Sequence, residues 1–199
     1  MQNKLRSELK FIADLIDKGA RVLDIGCHEG DLLYYIAKHQ NVDARGIEIE
    51  QANVSKAVQK GLSVIQGDAD LDLKFYPDNS FDYVISSQML QATRQPMEVL
   101  KEMLRIGNKV IVSIPNFGFW YNRIYLLLKG RMPVSKTLSY QWYETPNIHF
   151  STIKDFEILC TNIGCEIEKK TFLSPCGNKE IEFMPNFFGE SGVFLLRGR

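Results

Sequence analysis

Three carboxylates stand where they could hold one ligand between them. Asp24 lies in Asp24-Ile25-Gly26-Cys27-His28-Glu29-Gly30, Glu48 in Gly46-Ile47-Glu48-Ile49-Glu50 and Asp68 in Gln66-Gly67-Asp68-Ala69, each at the end of a short apolar run. Glycines at 26 and 30 let a loop approach a ligand closely, and a helix starting after such a loop offers free N–H groups. Glu48 follows Gly30 by 18 residues, the separation at which a carboxylate grips the ribose hydroxyls of a bound nucleoside. Asp68 is placed to accept from an adenine amino group. Each acid alone could be a solvated loop charge, and the two glycines alone could simply make a tight turn. Together they point to a nucleoside ligand, with Asp24, Gly26, Cys27, His28, Gly30, Glu48, Ile49, Asp68, Ala69 and Ser86 as the residues expected to line its site.

The elements that must carry these residues alternate along the chain. Leu5, Leu9, Ile12 and Ile16 make a helical stripe closed by Gly19. Strands are expected at 21–25, 43–49, 62–66, 81–86 and 109–114. Helices are expected over Leu32, Leu33, Ile36 and Ala37, over 51–60, and over 96–105, where Pro96 suits the first turn. Thr152 and Asp155 form a capping box shortened to Asp, opening a helix through Phe156, Leu159 and Ile163 that Gly164 stops. Segments 165–172 and 192–196 read as an antiparallel edge pair. Apolar strands separated by helices predict an α/β fold: a doubly wound, Rossmann-like and mostly parallel sheet of about seven strands. No internal repeat or low-complexity linker interrupts the chain, so residues 1–199 are expected to form one domain.

Composition narrows the function classes. Hydrophobic residues make up 45% and charged residues 24% of the 199, which excludes a disordered or collagen-like chain. Twenty-four basic side chains balance 24 acidic ones, so no global field favours nucleic acid or an anionic membrane. The longest apolar run, 124–128, is far short of the ~20 residues that span a bilayer, and Glu8, Lys10 and Asp14 interrupt any N-terminal signal core. Cysteines at 27, 160, 165 and 176 form no CxxC pair and read as reduced thiols of a cytoplasmic protein.

The charge around the first loop selects among nucleoside ligands. Dinucleotides place a pyrophosphate at the helix N-terminus, usually over G-x-G-x-x-G. Here the spacing is G-x-x-x-G, and Asp24, Glu29 and Asp31 crowd the site with negative charge. S-adenosylmethionine has no phosphate and carries an ammonium and a sulfonium, which carboxylates favour. Segments 22–30 (VLDIGCHEG), 46–50 (GIEIE), 67–70 (GDAD) and 81–88 (FDYVISSQ) resemble, in order and spacing, the four motifs of class I S-adenosylmethionine-dependent methyltransferases. Residues 75–96 (FYPDNSFDYVISSQMLQATRQP), with Pro115-Asn116-Phe117-Gly118, 130–133 (GRMP) and 144–149 (ETPNIH), more narrowly resemble the MetW family of methionine biosynthesis.

That resemblance implies the class I methyltransferase fold, S-adenosylmethionine as cofactor with S-adenosylhomocysteine as product, and a homoserine O-acyltransferase as partner. It supplies no methyl acceptor; a free-standing methyltransferase acting on a small molecule is the alternative. One departure stands in the loop: His28 occupies the place of the usual middle glycine. Histidine tolerates unusual backbone angles better than most residues, although its ring could crowd the methionine end of the cofactor. With only three histidines and no second ligand pair, it is a poor metal ligand.

The chemistry of methyl transfer has no clear owner in the sequence. Ser86-Ser87-Gln88-Met89 stands where amino-methylating relatives carry Asn/Asp-Pro-Pro-aromatic, which argues against adenine, cytosine and glutamine-amide acceptors. Between 115 and 150 lie nine aromatics, with Arg123, Lys129, Arg131 and Lys136 against Glu144 as the sole acid. Such an insert could be plain packing, a partner surface or a substrate lid. Tyr143 and His149 are its only plausible bases, and each is more often a hydrogen-bonded structural residue.

Overall fold

In the computed structural model, which describes residues 5–135, 138–177 and 179–198, seven strands form a sheet in the order β3-β2-β1-β4-β5-β7-β6. Strands β1 (Arg21–Ile25), β2 (Asp43–Glu48), β3 (Ser63–Gln66), β4 (Phe81–Ser87) and β5 (Gly107–Pro115) run parallel. The antiparallel pair β6 (Glu166–Leu173) and β7 (Ser191–Arg197) completes it, with β7 against β5. Eight helices surround the sheet among the described residues: α1 (Ser7–Ala13), α2 (Asp31–Gln40), α3 (Gln51–Gln59), α4 (Ala69–Asp72), α5 (Pro96–Ile106), α6 (Trp120–Lys129), α7 (Ile153–Ile163) and α8 (Pro185–Phe188).

The strand register decides which side chains share a face, because successive side chains alternate across a sheet. Asp24 pairs with Gly46 and Ile85, and Ile25 with Ile47 and Ser86. One face therefore carries Val22, Ile85 and Ile111, packed with Leu9 and Ile12 of α1, Leu33 and Ile36 of α2 and Ala57 of α3. The other carries Ile25, Ile47, Val84 and Val112, packed with Leu100 and Met103 of α5 and Phe156 and Cys160 of α7. Burial on both faces is what the near-continuous apolar strands require.

Local chemistry explains the ends. The Thr152 hydroxyl accepts from the Asp155 N–H while the Asp155 carboxylate accepts from the Thr152 N–H, and Gly164 closes α7 in the left-handed conformation at φ 77°. The expected stripe of α1 runs to Ile16, but the regular helix stops at Ala13; the N–H groups of Leu15 and Ile16 bond back only three residues, to Ile12 and Ala13. Helices α4 and α8, four residues each, are too short to show a stripe, and α6, whose Trp120, Ile124, Leu127 and Leu128 do recur at helical spacing, is an element not expected above.

The segment Pro115-Asn116-Phe117-Gly118 is a clamp. Asn116, buried, donates from Nδ2 to the carbonyls of Gly189 (2.8 Å) and Asn186 (3.2 Å). Its Oδ1 accepts from the N–H groups of Gly118 (3.0 Å) and Ile153 (3.3 Å). A Cβ at Gly118 would lie 3.0 Å from Arg123 Nη2, from Asn116 Oδ1 and from Thr152 Cγ2, so only glycine leaves the clamp unstrained. This one asparagine ties the feet of α6, α7 and α8 to the end of β5.

Plain packing does not account for the aromatic insert. Phe119 is buried, Phe117 and Tyr125 are half-buried, and Trp120, Tyr121, Tyr140, Trp142, Tyr143 and Phe150 are exposed. Lys136 lies outside the described residues, as does the side chain of Cys176. Cys27, Cys160 and Cys165 are buried. Among the described residues no helix is long and apolar enough to cross a membrane.

Candidate cofactor site

The strand tips bring Asp24 and Glu48 together. They point to the same face of the sheet, since Asp24 pairs with Gly46 and Glu48 follows two residues on. Both are buried, at 3% and 4% exposure. Glu48 is held by backbone: its Oε2 accepts from the His28 N–H (2.8 Å) and its Oε1 from the Glu50 N–H (3.0 Å). Asp24 has no such support, and its Oδ1 is buried with no hydrogen-bond partner. Burial, and then the charge of Glu48, push the Asp24 carboxyl up to about 8.

The loop between them is shaped for this contact. Gly26, His28 and Gly30 all adopt positive φ, at 70°, 49° and 76°. The left-handed turn at His28 aims its N–H at Glu48 and leaves its side chain exposed to solvent. A Cβ on Gly26 would come within 2.6 Å of Met89 Cγ, so the first loop and the loop after β4 pack directly on one another. Cys27 turns the other way: a Cβ at Gly46 would meet its Sγ at 2.6 Å, so the thiol fills the space that glycine leaves. Burial raises the Cys27 thiol well above its ordinary range, and this residue offers the site only backbone.

Two expected charges are engaged elsewhere. Glu29 Oε1 pairs with Lys56 Nζ and Asp31 Oδ1 with Lys60 Nζ, both at 2.7 Å, and Lys60 also donates to the Glu29 carbonyl. Its bond to Lys56 holds the Glu29 carboxyl below the usual carboxylate range. The acidic groups left for a ligand at the strand tips are thus fewer than the sequence implies: Asp24 and Glu48.

The remaining expected residues spread outward. Asp68 caps α4, its Oδ1 accepting from the Asp70 N–H (2.9 Å), while its own N–H donates to Asp72 Oδ2 (2.7 Å). Ala69 is partly buried against the core, and Ile49 is exposed at the tip of β2. Ser86 sits on the opposite face from Asp24, fully buried, its hydroxyl without a partner.

The structure adds residues that motif reading misses. Glu8 of α1 reaches over the carboxyl ends of β4 and β5, where its Oε2 accepts from Gln88 Nε2 and its Oε1 is buried without a partner. Burial raises its carboxyl above the ordinary range. Gln88, at φ 51°, donates its own N–H to the carbonyl (3.0 Å) and hydroxyl (3.1 Å) of Ser113. Gln91 Nε2 donates to the Gln88 carbonyl, and the Gln91 carbonyl accepts from the N–H groups of Ile148 and His149. A signal for Glu8 existed: it stands three residues after Leu5 and four before Ile12, on the apolar stripe rather than opposite it. Tyr143 is exposed, and His149 is fixed through its backbone.

The donor set fits S-adenosylmethionine. A buried carboxyl with an unpartnered oxygen suits an ammonium or sulfonium, and a second carboxylate with lone pairs to spare suits hydroxyls. A pyrophosphate beside Asp24 and Glu48 would be repelled.

Comparison with known proteins agrees on family and fold. The family model described as methionine biosynthesis protein MetW matches residues 6–196. A protein of Rhodopirellula baltica named bifunctional methionine biosynthesis protein MetXA/MetW is 33% identical over 187 residues, covering 89% of this chain. The chain spans only 30% of that relative's length. A demethylmenaquinone methyltransferase of Bacillus licheniformis is 29% identical over 168 residues, covering 75% of this chain and 72% of the relative. Among solved structures, an S-adenosylmethionine-dependent methyltransferase from Archaeoglobus fulgidus superposes with a TM-score of 0.74 at 16% identity, covering 98% and 93% of the two chains. One from Thermotoga maritima gives 0.69 at 21%, covering 97% and 88%. The fold is that of the class I methyltransferases, and the chain belongs to the methionine biosynthesis protein MetW family.

Proposed function

We propose that the strand tips hold S-adenosylmethionine, and that the protein acts in cytoplasmic methionine biosynthesis together with a homoserine O-acyltransferase. Asp24 faces the positive end of the cofactor, Glu48 the ribose hydroxyls, and Asp68 with Ile49 and Ala69 the adenine; Gly26, Cys27, His28 and Gly30 supply backbone and Ser86 lies beneath. The observation that carries the reading is the unpartnered Asp24 oxygen, buried beside a second buried carboxylate. Such a pair is costly until a cation arrives. The relative whose name joins MetXA to MetW supports the partnership. Because the cofactor is made from methionine, its occupancy would report methionine status to the acyltransferase.

Titration calorimetry with S-adenosylmethionine, and with the acyltransferase in the presence and absence of cofactor, tests both halves. The expected result is cofactor binding and a complex whose affinity depends on cofactor. No complex under either condition eliminates the partner.

One observation favours a second reading, a free-standing methyltransferase. When bound, S-adenosylmethionine supplies a methyl group open to in-line displacement, and an oxygen or nitrogen acceptor then benefits from a positioned base. Glu8, a buried carboxyl raised by its burial and standing beside Gln88 and Ser113, is a group of that kind. S-adenosylhomocysteine release with a member of a metabolite panel, lost in Glu8→Gln, would support it; a silent panel beside confirmed cofactor binding favours the acyltransferase reading.

A further inference from the structure

We infer that the outer face of α6, continued by the 183–188 turn, is the surface on which the homoserine O-acyltransferase docks. The inference rests on the partnership proposed above and adds where it happens.

Helix α6 reads Trp-Tyr-Asn-Arg-Ile-Tyr-Leu-Leu-Leu-Lys, yet the one residue it buries is Asn122. Asn122 Nδ2 donates to the carbonyls of Asn116 and Phe117, fastening the foot of the helix by polar contact. The apolar side chains point outward: Leu127 is 82% and Leu128 73% exposed, with Trp120, Tyr121 and Ile124 exposed beside them. A helix of a free-standing domain normally buries an apolar stripe and shows water its polar side. Here the arrangement is reversed.

The surface continues beyond the helix. Arg123 donates from Nη2 to the Asn186 carbonyl and lies over the Phe187 ring, 5.6 Å from its centre. That bond brings α8 against α6, and with it the exposed Phe183 and Phe188. Contiguous apolar patches of this kind mark interaction sites. Aromatic anchors with arginine are the composition that carries binding energy in interfaces.

The occupant follows from two observations. In the Rhodopirellula baltica relative the region matching this chain is 30% of a longer protein named as bifunctional, which joins a MetXA part to MetW on the same chain. Glu180 and Glu182 are exposed just before the 183–188 turn, but the rim along α6 is basic: Arg123, Lys129 and Arg131 are exposed there, and Glu144 is the one acid between 115 and 150. A partner with an apolar centre and an acidic border fits it.

The test uses the full chain with Leu127→Asp and Leu128→Asp together, titrated against the purified acyltransferase of the same organism. Both leucines are exposed and take no part in the contacts that hold Asp24, Glu48 or the loop after β1, so far-UV circular dichroism and S-adenosylmethionine binding should match wild type. The complex should weaken by at least about 30-fold, the loss of one interface hot spot. Wild-type affinity in the double variant overturns the surface and leaves the partnership standing. Absence of a complex with the wild-type chain removes the partnership itself, and the surface with it. Light scattering on the chain alone closes the remaining route: a wild-type dimer that the two aspartates dissociate assigns the face to a second copy and overturns the proposal.

Discussion

Two regions at the carboxyl edge of the sheet handle their side chains in opposite ways. Around the loop after β1, positions are committed: Glu48 is gripped by two backbone N–H groups, Cys27 fills the hollow over Gly46, and Glu29 and Asp31 are tied to lysines on α3 and just past its end. What stays open there is polar, the Asp24 Oδ1 and the Ser86 hydroxyl on the opposite face. In the 115–150 insert the ties lie at the foot, where Asn116 and Asn122 bind backbone, and at 148–149, held by the Gln91 carbonyl, while most of the large apolar side chains, Phe119 and Leu138 apart, stay outside. The first region is preorganised for a small charged ligand. The second is a fastened base beneath an apolar face, the layout of an interface rather than of a pocket.

The largest expected effect breaks the first region. Glu48→Ala removes the acceptor of the His28 and Glu50 N–H groups together with the buried carboxylate beside Asp24. Affinity for S-adenosylmethionine should fall on the order of 100-fold or more in calorimetry, the scale for truncating a buried hydrogen-bonded charge. Far-UV circular dichroism should be unchanged. Glu48→Gln keeps an acceptor oxygen and should lose less. Retention of wild-type affinity in Glu48→Ala would move the cofactor away from these tips.

Next comes the base of the second region. Asn116→Ala leaves four backbone groups without their partner: the carbonyls of Gly189 and Asn186 and the N–H groups of Gly118 and Ile153. The expected cost is about 3 kcal/mol. For a chain of 199 residues that is a fall in Tm of roughly 6–12 °C by calorimetry. A smaller fall, below about 1 kcal/mol, would show that water replaces the asparagine and that the insert is not clamped.

The contrast also marks what the sequence discloses. The parallel strands and their order of motifs are legible because burial on both faces forces apolar runs and because glycines at 26 and 30 have backbone conformations that few residues share. The carboxylates Asp24 and Glu48 are legible for the same reason, as acids where burial is expected. Glu29 and Asp31 mislead, since their neutralising lysines lie on α3 and just past its end, 27 and 29 residues away. Glu8 is hidden by distance as well: its contact with Gln88 spans 80 residues. Helix α6 carries an apolar stripe, Trp120, Ile124, Leu127 and Leu128, that faces no core, and the aromatics around it read as packing until their exposure is known.

A third test sharpens the first region through pH. Asp24, raised to about 8, keeps its proton at neutral pH, whereas in the unfolded chain it loses it near 3.8. A cation prefers the ionised form, so S-adenosylmethionine affinity should climb about tenfold per pH unit as pH rises towards 8 and level off above it. Binding at pH 7 should release a proton, read as a dependence of the calorimetric enthalpy on the buffer's ionisation enthalpy. The free protein responds in the reverse sense: its folded state binds the extra proton, so stability falls as pH rises from 3.8 to 8. Asp24→Asn should bind weakly, lose the pH slope and be more stable than wild type at pH 8. An unchanged slope in Asp24→Asn would assign the titration to another group.

The smallest expected effect separates folding from docking in the second region. Leu127 is 82% exposed, so Leu127→Ala removes no buried area from the free chain. Alanine is at least as good a helix former, and surface changes of this kind stay within about 0.5 kcal/mol. Tm should therefore match wild type, while the complex with the acyltransferase weakens. A leucine that costs the fold nothing and the complex something is held for the partner. If Leu127→Ala instead lowered the stability of the isolated chain by more than about 1 kcal/mol, a cost typical of lost burial, α6 would pack against its own protein in solution. The face would then not be free, and the difference between the two regions would reduce to one of ligand size.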